Sequence, residues 1–299
     1  MYKVLVIVGP TAVGKSSFGI ECAKAFNGEI ISGDSVQIYK GLDIGSAKIK
    51  KEEMMGITHH LIDIKDARET YNVKDFQGLA RTLIEDISRR NKLPIIVGGT
   101  GLYVKACLYD YRFNDEDTED EPYDELSNED IYNILKEKDP LCLNKIHINN
   151  RRRLVRALNV LNKTGDKFSA NIESQNHELL YDAKIIGLTM DRDKLYERIN
   201  SRVDMMVNDG LVDEIKGLLE KGVSFDDQAM QGIGYKEFRS YFEEGTSLDK
   251  VLDEIKRNSR RFAKRQYTWF KNQMPVTWFE TSELDKAILE VDRWINCKD

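Results

Sequence analysis

The sequence predicts an α/β fold: a phosphate-loop-type parallel sheet flanked by helices, with a smaller helical insertion and a mostly helical C-terminal part. The first observation is a buried-strand run, Val4 to Val8, that leads directly into GPTAVGKS. The second is an alternation of strand and helix patterns through the first third of the chain, with glycines just after the strand ends. Ligands of such folds bind beyond the carboxyl ends of the strands, where residues 9–16, 33–37 and 98–101 fall.

Each element is justified by the period of its apolar residues. Aliphatic runs predict strands at 4–8, 29–32, 93–97, 183–190 and 276–279. Apolar residues three and four apart predict helices at 15–26, 73–91, 151–162, 247–272 and 284–295. Residues 163–182 are polar and are expected to form a loop, and the strand after them is expected to rejoin the main sheet.

Three segments describe the expected domain organisation. Residues 1–113 form the first part of the phosphate-loop core, 114–182 form the helical insertion, and 183–299 complete the core and carry basic C-terminal helices. The insertion opens on an intensely acidic stretch, 114–130, which is almost free of large aliphatic residues and is typical of a solvated segment.

Composition excludes several classes of protein. The 299 residues are 41% hydrophobic and 32% charged, which allows a sizeable core, and no apolar run approaches the roughly 20 residues of a membrane span. The four cysteines lie far apart with no C-x-x-C pair, which argues against a zinc site and a disulfide framework. These features favour a cytoplasmic protein without membrane association. We also expect a monomer, although the sequence does not fix the oligomeric state. The net charge of −6 is unevenly distributed, so a polyanion could still bind locally.

The first chemical motif is the phosphate loop, which matches G-x-x-x-x-G-K-[ST] with a strand before it and a helix pattern after it. Its backbone N–H groups and the positive end of the following helix suit a di- or triphosphate. Lys15 can reach phosphate oxygens, and the Ser16 hydroxyl can reach Mg²⁺. The residues expected to bind the phosphates are Gly9, Pro10, Thr11, Ala12, Val13, Gly14, Lys15, Ser16 and Ser17.

Two further strand ends carry polar groups. Asp34, in GDSVQIY, should face the phosphate loop, where it could hold Mg²⁺ through water, act as a general base, or simply form a turn. Gln37 could read a base edge or be exposed. In GGTG the Thr100 hydroxyl adds a donor near an anion, although paired glycines after a strand often only make a turn.

Arginines and histidines add weaker signals. Arg198 and Arg202 share one helix face and could hold a pyrophosphate or be solvated. The adjacent His59 and His60 would point to opposite faces of a strand, which favours structural roles over joint metal binding. No strand ends in the D-x-x-G or D-E pattern that positions water against a γ-phosphate, so the loop need not bind ATP.

Two basic segments point to a polyanionic partner. One is NNRRRLVR at residues 149–156. The other, KRNSRRFAKRQYTWFK at 256–271, has seven basic residues and no acidic one. At helical spacing they make a positive stripe suited to a phosphate backbone, whereas solvated faces normally mix signs. The stripe consists of Arg257, Arg260, Arg261, Lys264 and Arg265.

Taken together, the motifs resemble the tRNA dimethylallyltransferase family, also called tRNA isopentenyltransferases. The resemblance covers most of the chain, from residue 9 to 270, and its pieces follow the family order. These are GPTAVGKS, GDSVQIYKGLDIGSAK, HHLID, DFQGLA, GGTGLY, RRRLVRALNV, RVDMMVNDGL, QGIGYKE and RRFAKRQYTWF. The chain departs from the family at Gly232, where alanine is usual, and in the short acidic region after GGTGLY.

The resemblance implies an enzyme that moves a dimethylallyl group from dimethylallyl pyrophosphate to N6 of the adenine beside the tRNA anticodon, releasing pyrophosphate. Asp34 would be the general base. Gly14, Lys15 and Ser16 would hold the pyrophosphate, with Ser16 near Mg²⁺. Thr100 and Arg202 would clamp the leaving diphosphate.

The resemblance also implies where tRNA binds. The anticodon arm would contact residues that the family uses after its second strand, in the insertion and on the basic C-terminal helix. These are Asp34, Ser35, Val36, Gln37, Thr100, Arg152, Arg153, Leu154, Val155, Arg156, Arg261 and Arg265.

Three other functions stay open. A prenyltransferase acting on free adenine nucleotides would share the fold but would not need the basic helices. A phosphate-loop kinase of a small metabolite is disfavoured by the missing γ-phosphate machinery. A nucleotide-sensing RNA-binding module is disfavoured because Asp34 should face the phosphate loop. Protection from heat by different diphosphates separates the prenyltransferases from the kinase.

Overall fold

The computed structural model describes residues 1–111, 113, 121–165, 167–173 and 178–297. These residues form two compact units, one of residues 1–109 and 179–299 and one of residues 110–178. The smaller unit begins at 110 and ends at 178, whereas the sequence analysis placed the insertion at 114–182. Most of the acidic stretch, residues 114–120, lies outside the described residues.

The larger unit is built on one parallel sheet, as the sequence predicts; it has six strands, one more than the five predicted. The strands are β1 Lys3–Val8, β2 Gly28–Ser32, β3 His59–His60, β4 Leu93–Val97, β5 Asp182–Thr189 and β6 Thr277–Glu280. Their order is β3-β2-β4-β1-β5-β6. The expected return of the chain to the sheet is confirmed, because β5 pairs with β1 from Lys3–Asp182 to Val8–Gly187.

Both faces of the sheet are buried. Along β1, Val4, Val6 and Val8 belong to one core, and Leu5 and Ile7 belong to the other. This is the consequence of side chains that alternate between faces in a fully covered parallel strand. The covering helices of the first third are α1 Lys15–Ala25, α2 Val73–Arg89 and α3 Gly101–Leu108. Helix α1 packs on the Leu5 side, and α2 and α3 pack on the Val4 side.

The smaller unit has a core of its own. Its helices are α4 Asn128–Lys138, α5 Arg151–Thr164 and α6 Phe168–Glu173, with a 3₁₀ turn at Pro140–Asn144. Helix α6 corrects the expectation of a continuous loop at 163–182. The buried Asp139 carboxylate explains its start, because it accepts hydrogen bonds from the Ser169 N–H at 2.8 Å and hydroxyl at 2.5 Å.

Helices dominate the rest of the larger unit, as expected. They are α7 Arg192–Asn208, α8 Leu211–Glu220, α9 Arg239–Glu244, α10 Leu248–Gln273 and α11 Leu284–Asn296. The buried face of α10 contains Val251, Ile255, Ala263 and Phe270, and one polar residue, Gln266. Within the described ranges no helix is both long enough and apolar enough to span a membrane.

A buried ion cluster lies near the amino end of β2. The Glu29 carboxylate, only 4% exposed, accepts from the Arg90 guanidinium at 2.6 and 2.8 Å and from Lys92 at 2.8 Å. His60 lies 2.8 Å from the same carboxylate, and a ring nitrogen of His59 lies 2.9 Å from a backbone carbonyl. Both histidines are thus held by local contacts within the fold.

Candidate active site

The phosphate loop joins β1 to α1 in a conformation that requires glycine. Gly9 has φ +143° and Gly14 has φ +105°, values that side chains with a Cβ rarely adopt. A Cβ on Gly9 would also lie 2.5 Å from the Leu188 carbonyl oxygen. The loop therefore lies directly against β5, and it leads into the amino end of α1 at Lys15. This end of a helix attracts anions.

Two cations and one carboxylate lie close together beside this loop. The Lys15 ammonium donates to the Pro10 carbonyl at 2.7 Å, and the Arg202 guanidinium donates to the Thr11 hydroxyl at 3.3 Å. Burial and, after it, the Arg202 charge lower the pKa of Lys15 to about 8, although the Asp34 charge acts in the opposite direction. Burial, together with Arg198, also lowers the pKa of Arg202. Two desolvated cations at this position favour binding of a multiply charged anion.

Asp34 follows the carboxyl end of β2 and uses its two carboxylate oxygens differently. Oδ1 accepts from the N–H of Val36 at 2.8 Å and of Gln37 at 3.3 Å, which closes a turn. Among the described residues, Oδ2 has no hydrogen-bond partner. The side chain lines the space next to Lys15, as the sequence predicts. Asp34 is therefore a turn former that still presents a free acceptor oxygen to the cleft.

Two adjoining cavities form one cleft along this edge of the sheet. The larger, about 550 Å³, is lined by Gly14, Lys15 and Ser16 of the phosphate loop and by Arg198. The smaller, about 360 Å³, is lined by Thr100 and by residues of the segment 231–236. Both cavities share Thr11, Ala12, Asp34, Ser46, Ala47, Arg202 and Phe262. The cleft thus has a phosphate end and an opposite end, and they meet at Asp34 and Arg202.

The wall of the cleft opposite the phosphate loop is the loop 43–47, and the sequence analysis missed the side chains that hold it. The Glu214 carboxylate on α8 accepts from three successive backbone N–H groups, of Asp43 at 3.0 Å, Ile44 at 2.7 Å and Gly45 at 3.2 Å. The Tyr235 hydroxyl donates to Glu214 at 2.8 Å and accepts from the Ser46 N–H at 3.1 Å.

Gln37 completes this wall from inside the cleft. Its amide nitrogen donates to the carbonyls of Ser46 at 3.3 Å and Ala47 at 3.4 Å. Of the two uses weighed for Gln37, exposure is therefore wrong, because the side chain is half-buried and hydrogen-bonded. The turn that Asp34 closes, residues 34–37, is thereby fixed against the loop 43–47.

Gln266 connects the remaining two loops of the site. Its Oε1 accepts from the Thr11 N–H at 2.8 Å, and its Nε2 donates to the Gly99 carbonyl at 3.0 Å. Thr100 directly follows Gly99 and precedes α3. Nothing in the sequence pattern singles out Gln266 within the arginine-rich helix.

The positive stripe on α10 is narrower than the sequence predicts. Lys256 pairs with Asp204 at 2.6 Å, Arg257 with Glu254 at 3.3 Å, and Arg260 donates to Asn200 at 2.6 Å. Arg261 and Lys264 are exposed and have no ion-pair or hydrogen-bond partner among the described residues. The Arg265 guanidinium lies 5.7 Å from the centre of the Phe262 ring. The basic surface therefore consists of Arg261, Lys264 and Arg265.

The arginine segment of the smaller unit separates into exposed and structural residues. Arg152, Arg153 and Arg156 are exposed on α5. Leu154 is fully buried in the core of that unit and Val155 packs against it. The expectation that the Leu154 side chain contacts tRNA is therefore wrong, because a helix of this period must turn one residue in three or four inward.

Comparison with known proteins agrees with this geometry. The family model described as IPP transferase matches residues 37–273. A tRNA dimethylallyltransferase of Anoxybacillus flavithermus is 50% identical over 302 residues, covering 99% of this chain and 97% of that protein.

The chain belongs to the IPP transferase family. The relatives cover 99% of the chain, so the phosphate loop, which precedes the matched range 37–273, is included in the resemblance. Two solved structures support the same conclusion for this IPP transferase. The tRNA isopentenylpyrophosphate transferase of Staphylococcus epidermidis has 41% identity and a TM-score of 0.75, with 99% of both chains covered. A eukaryotic dimethylallyltransferase described as acting on tRNA has 31% identity and a TM-score of 0.87, covering 99% of this chain and 80% of that one.

Proposed function

We propose that this IPP transferase moves a dimethylallyl group from dimethylallyl pyrophosphate to N6 of the adenine adjacent to the anticodon of tRNA, and releases pyrophosphate. The observation that carries the proposal is the single cleft in which a phosphate loop and the free oxygen of Asp34 face each other. A donor with a diphosphate leaving group fits one end, and a nucleophile needing a base fits the other.

The phosphate end supports departure of the leaving group. As the allylic carbon–oxygen bond breaks, negative charge grows on the pyrophosphate, and donors fixed beforehand stabilise that charge. Lys15 and Arg202 supply two cations, and the loop and the start of α1 supply backbone N–H groups. Thr100 lines the adjoining end of the cleft, from which its hydroxyl would reach the pyrophosphate.

The acceptor end supports proton removal. N6 attacks the allylic carbon, so a bond from N6 to carbon forms while the carbon–oxygen bond breaks and the electron pair leaves with pyrophosphate. The proton lost from N6 goes to Oδ2 of Asp34. The target adenine has to leave its stack to enter this cleft. The two ends of the cleft keep the donor and acceptor on opposite sides of the reacting carbon.

The residues present fit a magnesium ion shared with the diphosphate. Mg²⁺ usually combines one or two protein oxygens with substrate phosphates and water, and here the Ser16 hydroxyl at the start of α1 and the Asp34 carboxylate line the same cavity. In the described part of the chain, no three His, Cys, Asp or Glu side chains are grouped as a metal site of their own. Bound Mg²⁺ would neutralise charge on the leaving pyrophosphate.

The tRNA would approach over basic and polar surfaces. Arg261, Lys264 and Arg265 on α10 suit the phosphates of the anticodon arm, while Asp34, Ser35 and Val36 line the acceptor end and Gln37 lines the phosphate end. Arg152, Arg153 and Arg156 on α5 supply further basic groups. We propose that the enzyme acts as a monomer and that it works in the reducing cytoplasm, where its free cysteines stay reduced.

The test is incubation with labelled dimethylallyl pyrophosphate, Mg²⁺ and unmodified tRNA that reads codons beginning with U. Label on the adenine beside the anticodon supports the proposal. Label only on free adenine nucleotides would replace it with a small-molecule prenyltransferase. No label anywhere, with ATP consumed in parallel, would replace it with a kinase.

A further inference from the structure

We propose that Gln266 is a positioning residue for the transfer step, because it fixes the phosphate loop and the Thr100 loop at one separation. This inference rests on the proposed function. It assigns a role to a side chain that lies outside the phosphate loop and outside the exposed basic surface. Gln266 belongs to α10, and it is the one polar residue among the buried positions of that helix.

The geometry requires both halves of the Gln266 amide. The oxygen accepts from the Thr11 N–H at 2.8 Å, and the nitrogen donates to the Gly99 carbonyl at 3.0 Å. Gln266 is 6% exposed, and its hydrogen bond to Gly99 is buried while that to Thr11 is part-buried, so loss of either bond would leave a desolvated backbone group without this partner. A carboxylate could replace only the acceptor, and an apolar side chain could replace neither group.

Gly99 is matched to this amide from the other side. A Cβ on Gly99 would lie 2.1 Å from the Gln266 Nε2, which is closer than any real contact. No left-handed φ is involved at this position, so the space occupied by Gln266 is what excludes a side chain. The Thr100 loop and Gln266 therefore fit as a pair.

The bridge joins groups expected to stabilise the leaving pyrophosphate. Thr11 contacts Arg202 through its hydroxyl and Gln266 through its N–H, while Thr100 follows Gly99 directly. Donors from two separate loops act together only if their spacing is fixed before the reaction. The two hydrogen bonds of Gln266 go to the phosphate loop and to Gly99 and not to the exposed basic surface of α10, so its contribution belongs to the transfer step rather than to tRNA binding.

The test uses four variants: Gln266→Glu, Gln266→Ala, Gly99→Ala and the double variant Gln266→Ala with Gly99→Ala. Asn272→Asp is the control, since Asn272 is exposed on the same helix and gains the same charge as Gln266→Glu. Single-turnover transfer, the dissociation constant for tRNA, the dissociation constant for pyrophosphate and the melting temperature are measured for each.

We expect Gln266→Glu and Gln266→Ala to slow single-turnover transfer about 10²-fold, as a misplacement near 1 Å does, while the tRNA dissociation constant stays within about twofold of wild type. Gly99→Ala displaces the amide and should slow transfer comparably. The double variant should be no slower than Gln266→Ala alone, because one interaction cannot be lost twice.

Several results would overturn the inference. One is a Gln266 variant that has a lower melting temperature than wild type but still transfers at the wild-type rate when it is assayed well below that melting temperature. A dissociation constant for tRNA that changes more than the transfer rate would assign Gln266 to tRNA docking. If the losses of transfer rate from Gln266→Ala and Gly99→Ala add in the double variant, the link to Gly99 is removed. If wild type transfers no label, the proposed function fails and the inference with it; pyrophosphate affinities then show only whether Gln266 shapes the loop.

Discussion

At the scale of single residues, Asp34 has a geometry that suits both of the roles its sequence position leaves open. An aspartate after a strand can form a turn or act as a base, and here Oδ1 closes the turn while Oδ2 has no hydrogen-bond partner among the described residues. Asp34→Asn retains a carbonyl oxygen for the turn and removes only the proton acceptor. We expect transfer to fall 10²- to 10⁴-fold, with tRNA affinity within about twofold, in single-turnover and filter-binding assays.

Asp34→Ala is the matched comparison for Asp34→Asn. Asp34→Ala loses both the base and the turn, so it should lower the melting temperature as well as the transfer rate, whereas Asp34→Asn should leave the melting temperature near that of wild type. Retention of most activity by Asp34→Asn would remove the base role of Asp34.

The lowered pKa of Lys15 predicts that the affinity of the phosphate end for pyrophosphate depends on pH. Burial lowers the pKa of Lys15 to about 8, so the ammonium is charged below pH 8 and becomes neutral above it. A bound diphosphate favours the charged form, so affinity should weaken as the pH rises through 8, by up to tenfold per pH unit. Calorimetry of pyrophosphate binding from pH 7 to 9 measures this.

The control for this titration is Lys15→Arg, which stays protonated throughout. Ionisation of pyrophosphate itself affects both proteins equally, so the ratio of their dissociation constants isolates Lys15. A ratio that does not change between pH 7 and 9 would contradict the assignment.

At the scale of elements, the sequence predicts what local periodicity determines. The strand at 93–97 is predicted to the residue, and α10 starts and ends one residue later than expected. Contacts between distant segments carry no such signal. Glu214 lies 169 residues from Gly45, and Gln266 lies 255 from Thr11, so only the folded chain shows that they hold the site. The same reason explains Leu154: a basic run in a helix cannot show which residue turns inward.

The exposed basic surface of α10 leads to a prediction about tRNA binding. Of the positive stripe predicted on this helix, Arg261, Lys264 and Arg265 form the exposed basic surface, since Arg257 and Arg260 have partners within the protein. Arg261→Glu with Arg265→Glu should weaken tRNA binding and reduce the slope of log affinity against log salt by about 1.5, because each phosphate contact contributes about 0.7 to 0.9. Filter binding from 50 to 200 mM salt measures the slope.

The control variant reverses the same number of positive charges on a different helix. Lys286→Glu with Arg293→Glu reverses two exposed charges on α11, where both residues pair with neighbouring glutamates. It should leave the salt slope near that of wild type. Equal slopes for the α10 pair and wild type would show that the surface of α10 is only solvated.

At the scale of the whole larger unit, the cluster that stabilises the fold and the cleft proposed to carry out transfer lie at opposite ends of the strands. The cleft lies beyond the carboxyl ends of the strands, where ligands of parallel sheets bind. The ion cluster of Glu29 lies near the other end of β2, about 15 Å away for five residues of extended chain. It joins β2 to β3 and to the segment between α2 and β4 through His60, Arg90 and Lys92. Changes to Glu29 should therefore affect folding without affecting transfer.

Glu29→Gln tests this separation. Hydrogen bonds from Arg90, and then from Lys92 and His60, lower the pKa of Glu29 far below its ordinary 4.5. The carboxylate therefore stabilises the fold fully above pH 4.5, and this contribution is lost as the pH falls below that value. Removing the charge weakens the hydrogen bonds that the buried carboxylate accepts from Arg90 and Lys92, so the free energy of unfolding at pH 7 should drop by about 1 to 3 kcal/mol. In urea titrations, the difference in the free energy of unfolding between wild type and Glu29→Gln should shrink toward pH 2. Glu69→Gln, which changes an exposed ion pair, should differ little from wild type at any pH. A difference that stays constant with pH would show that shape, and not charge, is what Glu29 contributes at this edge of the sheet.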